Sequence, residues 1–203
     1  ALALVLALAA AYPSIAKKIK IHGYLQQADQ RLASQQLISP PTDNADYFYR
    51  QALALEPDNK AALEGLHKVK AARISQLLAL AEQHLANNQL LTPADDNAVN
   101  RFRQVLALQA AQPMAIQGLH RVATIYQGLA QDAHAQGKTT TALDYLASGL
   151  QVEPGNTALL KLQKDYAVAD KPASNNTPPA GKKKSRKKPP SSLERFWHKL
   201  IGK

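Results

Sequence analysis

Leu37-Ile38-Ser39-Pro40-Pro41-Thr42-Asp43-Asn44-Ala45 returns 53 residues later as Leu90-Leu91-Thr92-Pro93-Ala94-Asp95-Asp96-Asn97-Ala98. Working outward from that stretch, residues 21–70 lie over residues 74–123 without a gap, and 22 of the 50 positions are identical. A second matching stretch is Gly65-Leu66-His67 against Gly118-Leu119-His120. Self-similarity at a fixed period marks a repeat protein, in which a unit cannot bury its apolar face alone and must stack on its neighbour. The pattern predicts a binding or scaffolding role and leaves the partner unnamed.

Apolar positions recur at helical spacing: Leu25, Ala28 and Leu32, then Leu78, Ala81 and Leu85, then Tyr126, Leu129 and Ala133. No four-residue stretch alternates as a strand. Helix breaks fall at Ser39-Pro40-Pro41, Glu56-Pro57-Asp58-Asn59, Thr92-Pro93, Gln112-Pro113, Gly137 and Glu153-Pro154-Gly155-Asn156. Asp43 and Asp96 stand where a side-chain oxygen would cap the following helix. The expected class is all-α, built from antiparallel helical hairpins.

Composition narrows the chemistry. A chain of 203 residues supports one sizeable core with room for tails. With no cysteine, disulfides, zinc–thiolate sites and cysteine nucleophiles are excluded. The net charge of +10 is uneven: residues 1–170 carry 15 Lys/Arg against 14 Asp/Glu, residues 171–203 carry 10 against Glu194 alone. A nearly neutral body disfavours a nucleic-acid face, whereas the tail is an electrostatic element.

Residues 1–16 open with eleven consecutive apolar residues, too few to cross a hydrocarbon core that needs about 20. We read them as the C-terminal part of a longer hydrophobic segment, a truncated transmembrane helix. A signal remnant with Ser14-Ile15-Ala16 as a small-x-small cleavage site is the other reading. Lys17, Lys18 and Lys20 follow.

The hairpins resemble the tetratricopeptide family. Residues 123–156 match its 34-residue pattern through Tyr126, Leu129, Ala130, Ala133, Gly137, Ala142, Leu146, Gly149 and Pro154. The same frame fits residues 26–59 through Leu32, Ala33, Ala45, Tyr49, Ala52 and Pro57. It fits residues 79–112 through Leu85, Ala86, Ala98, Phe102 and Val105, with Ala110 where Pro is usual. The resemblance implies an all-α solenoid of about three repeats over residues 17–170, closed by a capping helix at 157–170. The small residues are then expected where helices A and B of a hairpin approach closely. Residues 60–78 and 113–122 are additional, and are expected to lengthen A helices at their N-terminal ends. The Pro-x-x-Asp-Asn-Ala repeat is also similar to segments that follow a membrane span in larger bacterial envelope proteins, such as receptor-type serine/threonine kinases. That similarity implies a membrane-anchored place in the bacterial cell envelope, on either side of the membrane. It also implies a second reading, a regulatory or sensor segment of a larger membrane enzyme.

No catalytic, cofactor or metal constellation emerges. His67 and His120 are repeat equivalents, read as recurring because the same ancestral unit packs the same way. His22, His84 and His134 lack the i, i+4 spacing of a zinc helix. There is no phosphate-cradling Gly-rich loop and no Ser-centred nucleophile elbow. The inner hairpin face would present Gln27, Gln30, Gln83, Asn87, Gln127 and Gln131, amides suited to the backbone of an extended peptide; a merely solvated face looks the same.

The C-terminal end is distinctive. Residues 171–190 lose apolar periodicity, a composition expected to stay disordered, and carry Lys182, Lys183, Lys184, Arg186, Lys187 and Lys188. In residues 191–203, Leu193, Phe196, Trp197, Leu200 and Ile201 follow i, i+3, i+4, i+7, i+8 and predict a short amphipathic helix. A polybasic run beside such a helix suits an anionic membrane surface. An acidic partner, a groove on the body itself and, less favourably, nucleic acid are the other readings. The expected function is a non-enzymatic, membrane-tethered scaffold that binds another protein or peptide.

Overall fold

The computed structural model describes residues 2–169, with side chains from residue 12 to residue 168. Those residues are all-helical. They form α1 (Leu2–Ala33), α2 (Ala45–Leu55), α3 (Lys60–Ala86), α4 (Ala98–Leu108), α5 (Pro113–Ala135), α6 (Thr139–Val152) and α7 (Thr157–Ala169). Residues 60–78 and 113–122 are helical and run on into the residues after them, so α3 has 27 residues and α5 has 23. At 1.5 Å per residue, α3 is about 40 Å long.

The chain divides into two compact units, one up to Ala79 and one from Leu80. In the first, α1 packs on α2 around Ile21, Ala28, Leu37, Ala45, Phe48, Tyr49 and Ala52. In the second, α4 packs on α5, α5 on α6 and α6 on α7. Its inner cluster is Ala123, Ala130, Ala133, Ala142, Leu146, Leu159 and Tyr166.

The ends of α1, α3 and α5 share one stop. Gln35, Asn88 and Gly137 each take a left-handed backbone, with φ of 60°, 63° and 73°. The amide of each donates to the carbonyl three residues back: Leu32, Leu85 and His134. The next amide donates five residues back, to Arg31, His84 and Ala133. This paired arrangement satisfies carbonyls that a helix end would otherwise orphan.

Counting back from that stop corrects the register of the small residues. Ala33 and Ala86 lie exposed at their helix ends. The fully buried alanines five residues before each end are Ala28, Ala81 and Ala130. The turn explains the slip. It occupies residues 34–44 and 87–97 in the duplicated unit but only 136–138 between α5 and α6. One gapless frame cannot hold both lengths. The alanines beyond the turn, Ala45, Ala98 and Ala142, are all fully buried.

The long turns are alike in detail. Ser39-Pro40 and Thr92-Pro93 are both cis. Ala45 N donates to Gln36 O and Ala98 N to Gln89 O, both at 2.9 Å. The capping residue is not the aspartate but the asparagine after it. Asn44 Oδ1 accepts from Tyr47 N at 2.8 Å, and Asn97 Oδ1 from Asn100 N at 2.9 Å. An amide side chain can also donate, and each does so into its own turn: Asn44 Nδ2 to Pro40 O at 2.5 Å, Asn97 Nδ2 to Pro93 O at 2.7 Å. A carboxylate could do the first job but not the second. Both asparagines are buried, 3% and 2% exposed.

Candidate interaction surface

Beneath the surface, the duplicated unit is keyed by an aromatic ring on a glycine. Tyr49 of α2 lies against Gly65 of α3, and Phe102 of α4 against Gly118 of α5. A Cβ on either glycine would fall within the ring. That contact accounts for the recurrence of Gly65 and Gly118. It does not account for His67 and His120, which point outward and are exposed. Shared packing is therefore not the reason for those histidines: on a helix that buries Gly65 and Val69, or Gly118 and Val122, the residue between them turns away from the core. His120 Nδ1 meets the Glu153 carboxylate at 3.2 Å.

The polar decoration differs between the copies. Tyr49 Oη donates to Asp29 Oδ1 at 2.5 Å, and burial, followed by that contact, pushes the phenol pKa upward. The second copy has Phe102 and Glu82 at these places, and Glu82 pairs instead with Arg121. Arg31 Nε meets Asp43 at 2.7 Å; its equivalent His84 meets Asp96 through Nε2 at 2.7 Å. His84 Nδ1 also lies 2.7 Å from Gln89 Oε1. Arg101 reaches Asp96 at 2.7 Å, and this hydrogen bond is the chief reason its carboxyl sits below the usual range.

Five of the six expected contact amides, Gln27, Gln30, Gln83, Asn87 and Gln131, are exposed, and Gln127 is half-buried. Gln27 with Gln30 on α1 and Gln127 with Gln131 on α5 each share a helix face, whereas Gln83 is in the last turn of α3 and Asn87 is the first residue of the turn that follows. Among the described residues, none of their side chains takes a hydrogen bond within the protein. Only Gln30 and Gln83 are repeat equivalents. Arg50 and Arg103, also exposed and identical, do have internal partners: Asp46 for Arg50, and the carbonyl of Gln151 for Arg103.

An apolar feature escaped the sequence. Met114 and Ile116 on α5 are 52% and 49% exposed and line an open groove of about 670 Å³ with Glu82, Gln117, His120 and Arg121. The equivalent of Ile116, Leu63, is also exposed. Helical periodicity marks these positions as ordinary apolar residues, so their exposure was not legible in the sequence. Among the described residues no three His, Asp or Glu side chains converge as a metal site. No helix among them is long and apolar enough to cross a membrane. Lys182, Lys183, Lys184, Arg186, Lys187, Lys188, Leu193, Phe196, Trp197, Leu200 and Ile201 lie outside the described residues.

No family model matches the chain, no curated protein matches its sequence, and no solved structure matches its fold.

Proposed function

We propose that this chain is a membrane-tethered helical-repeat adaptor of the tetratricopeptide type. Its hairpins stack as a solenoid and bind a protein or peptide, and its basic C-terminal segment holds it at an anionic surface. It performs no chemistry of its own. The observation that carries this reading is the identity of Gln30 and Gln83. Packed and capping positions of a duplicated unit stay alike because the fold needs them. Most exposed positions drift, as Gln27 against Leu80 and Ser34 against Asn87 illustrate, although the exposed pairs Ala33 with Ala86 and His67 with His120 are also unchanged. Gln30 and Gln83 are exposed and their side chains have no hydrogen bond within the described residues, yet they are unchanged. An amide that both donates and accepts fits the repeating N–H and C=O of an extended chain.

The test is photo-crosslinking in cells. A photo-reactive side chain at position 30, and separately at position 83, should capture the same protein partner, while one at exposed Ser75 should not. Equal capture from all three positions, or none from 30 and 83, contradicts the reading.

A further inference from the structure

From Tyr12 to Lys20 every residue of α1 is exposed, including Tyr12 at 74%, Ile15 at 53% and Ile19 at 68%. These three follow i, i+3, i+7 and form one stripe. The residues that pack α1 into its unit, Ile21, Leu25, Ala28 and Leu32, follow i, i+4, i+7, i+11. At 100° per residue the two stripes lie roughly 140° apart around the helix. The helix therefore has a core face in its second half and a different apolar face, uncovered by its own unit, in its first.

The charges around the uncovered stripe are of one sign. Lys18 and Lys20 flank it on either side, with Lys17 opposite, and the first acidic residue of the chain is Asp29. Lys20 Nζ leans over the Tyr24 ring at 5.9 Å from its centre, directed along the helix rather than to an acid. The residues before Tyr12 continue the apolar character with no charge.

We propose that residues 12–20 of α1 form a second contact with an anionic lipid bilayer. Tyr12, Ile15 and Ile19 enter the boundary between headgroups and acyl chains, Lys18 and Lys20 on the flanks meet lipid phosphates and carboxylates, and Lys17, on the far side, adds only longer-range attraction. Three arguments select lipid as the occupant. The stripe runs into a wholly apolar stretch, the nearby charge is positive without exception, and tyrosine and lysine suit the depth at which an apolar body meets a wet rim. The proposal rests on the membrane-tethered reading and adds where the folded part touches the surface.

The chain has no cysteine, so single labels are clean. The full chain carrying Ile19→Cys with an environment-sensitive fluorophore is mixed with vesicles of phosphatidylcholine, with or without phosphatidylserine. The fluorophore should brighten and shift to the blue only with phosphatidylserine, and lipids brominated near the headgroup should quench it. A label at exposed Ala54→Cys should not respond. Replacing Lys17, Lys18 and Lys20 with Gln should abolish the response at low salt. Ile15→Asp should abolish what survives at high salt, without change in the helical circular dichroism. A silent label at position 19 beside a blue shift of Trp197 overturns this inference alone, because the tail then binds by itself. Silence at both positions overturns the membrane reading as well. A response to soluble polyglutamate without one to vesicles replaces lipid with an acidic protein.

Discussion

The ring of Tyr49 covers Gly65 so closely that no side chain fits between them, and 53 residues on Phe102 covers Gly118 in the same way. A large residue facing none lets two helices approach without a void, and dense packing makes any added volume costly. Gly65→Ala and Gly118→Ala should each destabilise the protein by about 1–3 kcal/mol through overpacking. A methyl group on Gly23 would meet nothing within 4 Å, so Gly23→Ala should be neutral or stabilising. Urea denaturation followed by circular dichroism separates the three variants.

The asparagine caps give a second prediction. Asn97→Ala removes the acceptor for Asn100 N and the donor to the Pro93 carbonyl, and should cost about 1–2 kcal/mol. Asn44→Ala should behave alike. Asp43→Ala and Asp96→Ala should cost less, since these carboxylates stand at the surface and pair with Arg31 and Arg101. Thermal melts that ranked the aspartates as the more damaging would return the caps to them.

Alkaline titration should expose the Tyr49–Asp29 contact. The folded phenol has a raised pKa, chiefly from burial, whereas the unfolded one ionises at about 10. Below that pH both states keep the proton and the contribution is complete. Above it the unfolded chain loses its proton first, so stability falls until the folded phenol also ionises. Tyr49→Phe, which imitates Phe102, should lose about 1 kcal/mol at neutral pH. It should also flatten the alkaline slope. Some slope remains, because Tyr126 and Tyr166 are raised by burial too. An unchanged slope in Tyr49→Phe would remove the phenol from the account.

Ala98 is fully buried just beyond the long turn. Ala98→Leu should overpack the site by about 1–3 kcal/mol. Ala86→Leu, at the exposed end of α3, should change little. Overlapping melts for Ala98→Leu and the parent chain would contradict the close packing around this side chain.

Much of this was legible in the sequence, and the gaps have physical reasons. The spacing of Leu78, Ala81 and Leu85 announced a buried helix face, and all three are buried. Pro57 and Pro154 marked breaks after α2 and α6, where a ring without an N–H does not extend the ladder, and Pro113 marked the start of α5, whose first residue needs no N–H partner. The cap was misplaced by one residue because aspartate and asparagine cap equally well by preference. Only the carbonyl of Pro40 or Pro93 demands a donor, and its position inside the turn is invisible in a string of letters. The alanine register differs from a single gapless frame because the turn between α5 and α6 is shorter than the two turns of the duplicated unit. Identity between the copies does not distinguish a core position such as Gly65 from an outward one such as His67 or His120.

The duplicated unit separates residues that hold the fold from residues that face outward unchanged, and the adaptor reading depends on that separation. The most direct measurement uses the double variant Gln30→Ala with Gln83→Ala, followed by its melting temperature and its capture of the partner crosslinked from those positions. The account predicts a melting temperature close to that of the parent chain, because both side chains are exposed and unbonded within the protein, together with loss of capture. A variant that melts early, as Gly65→Ala should, or that captures its partner undiminished, would contradict it.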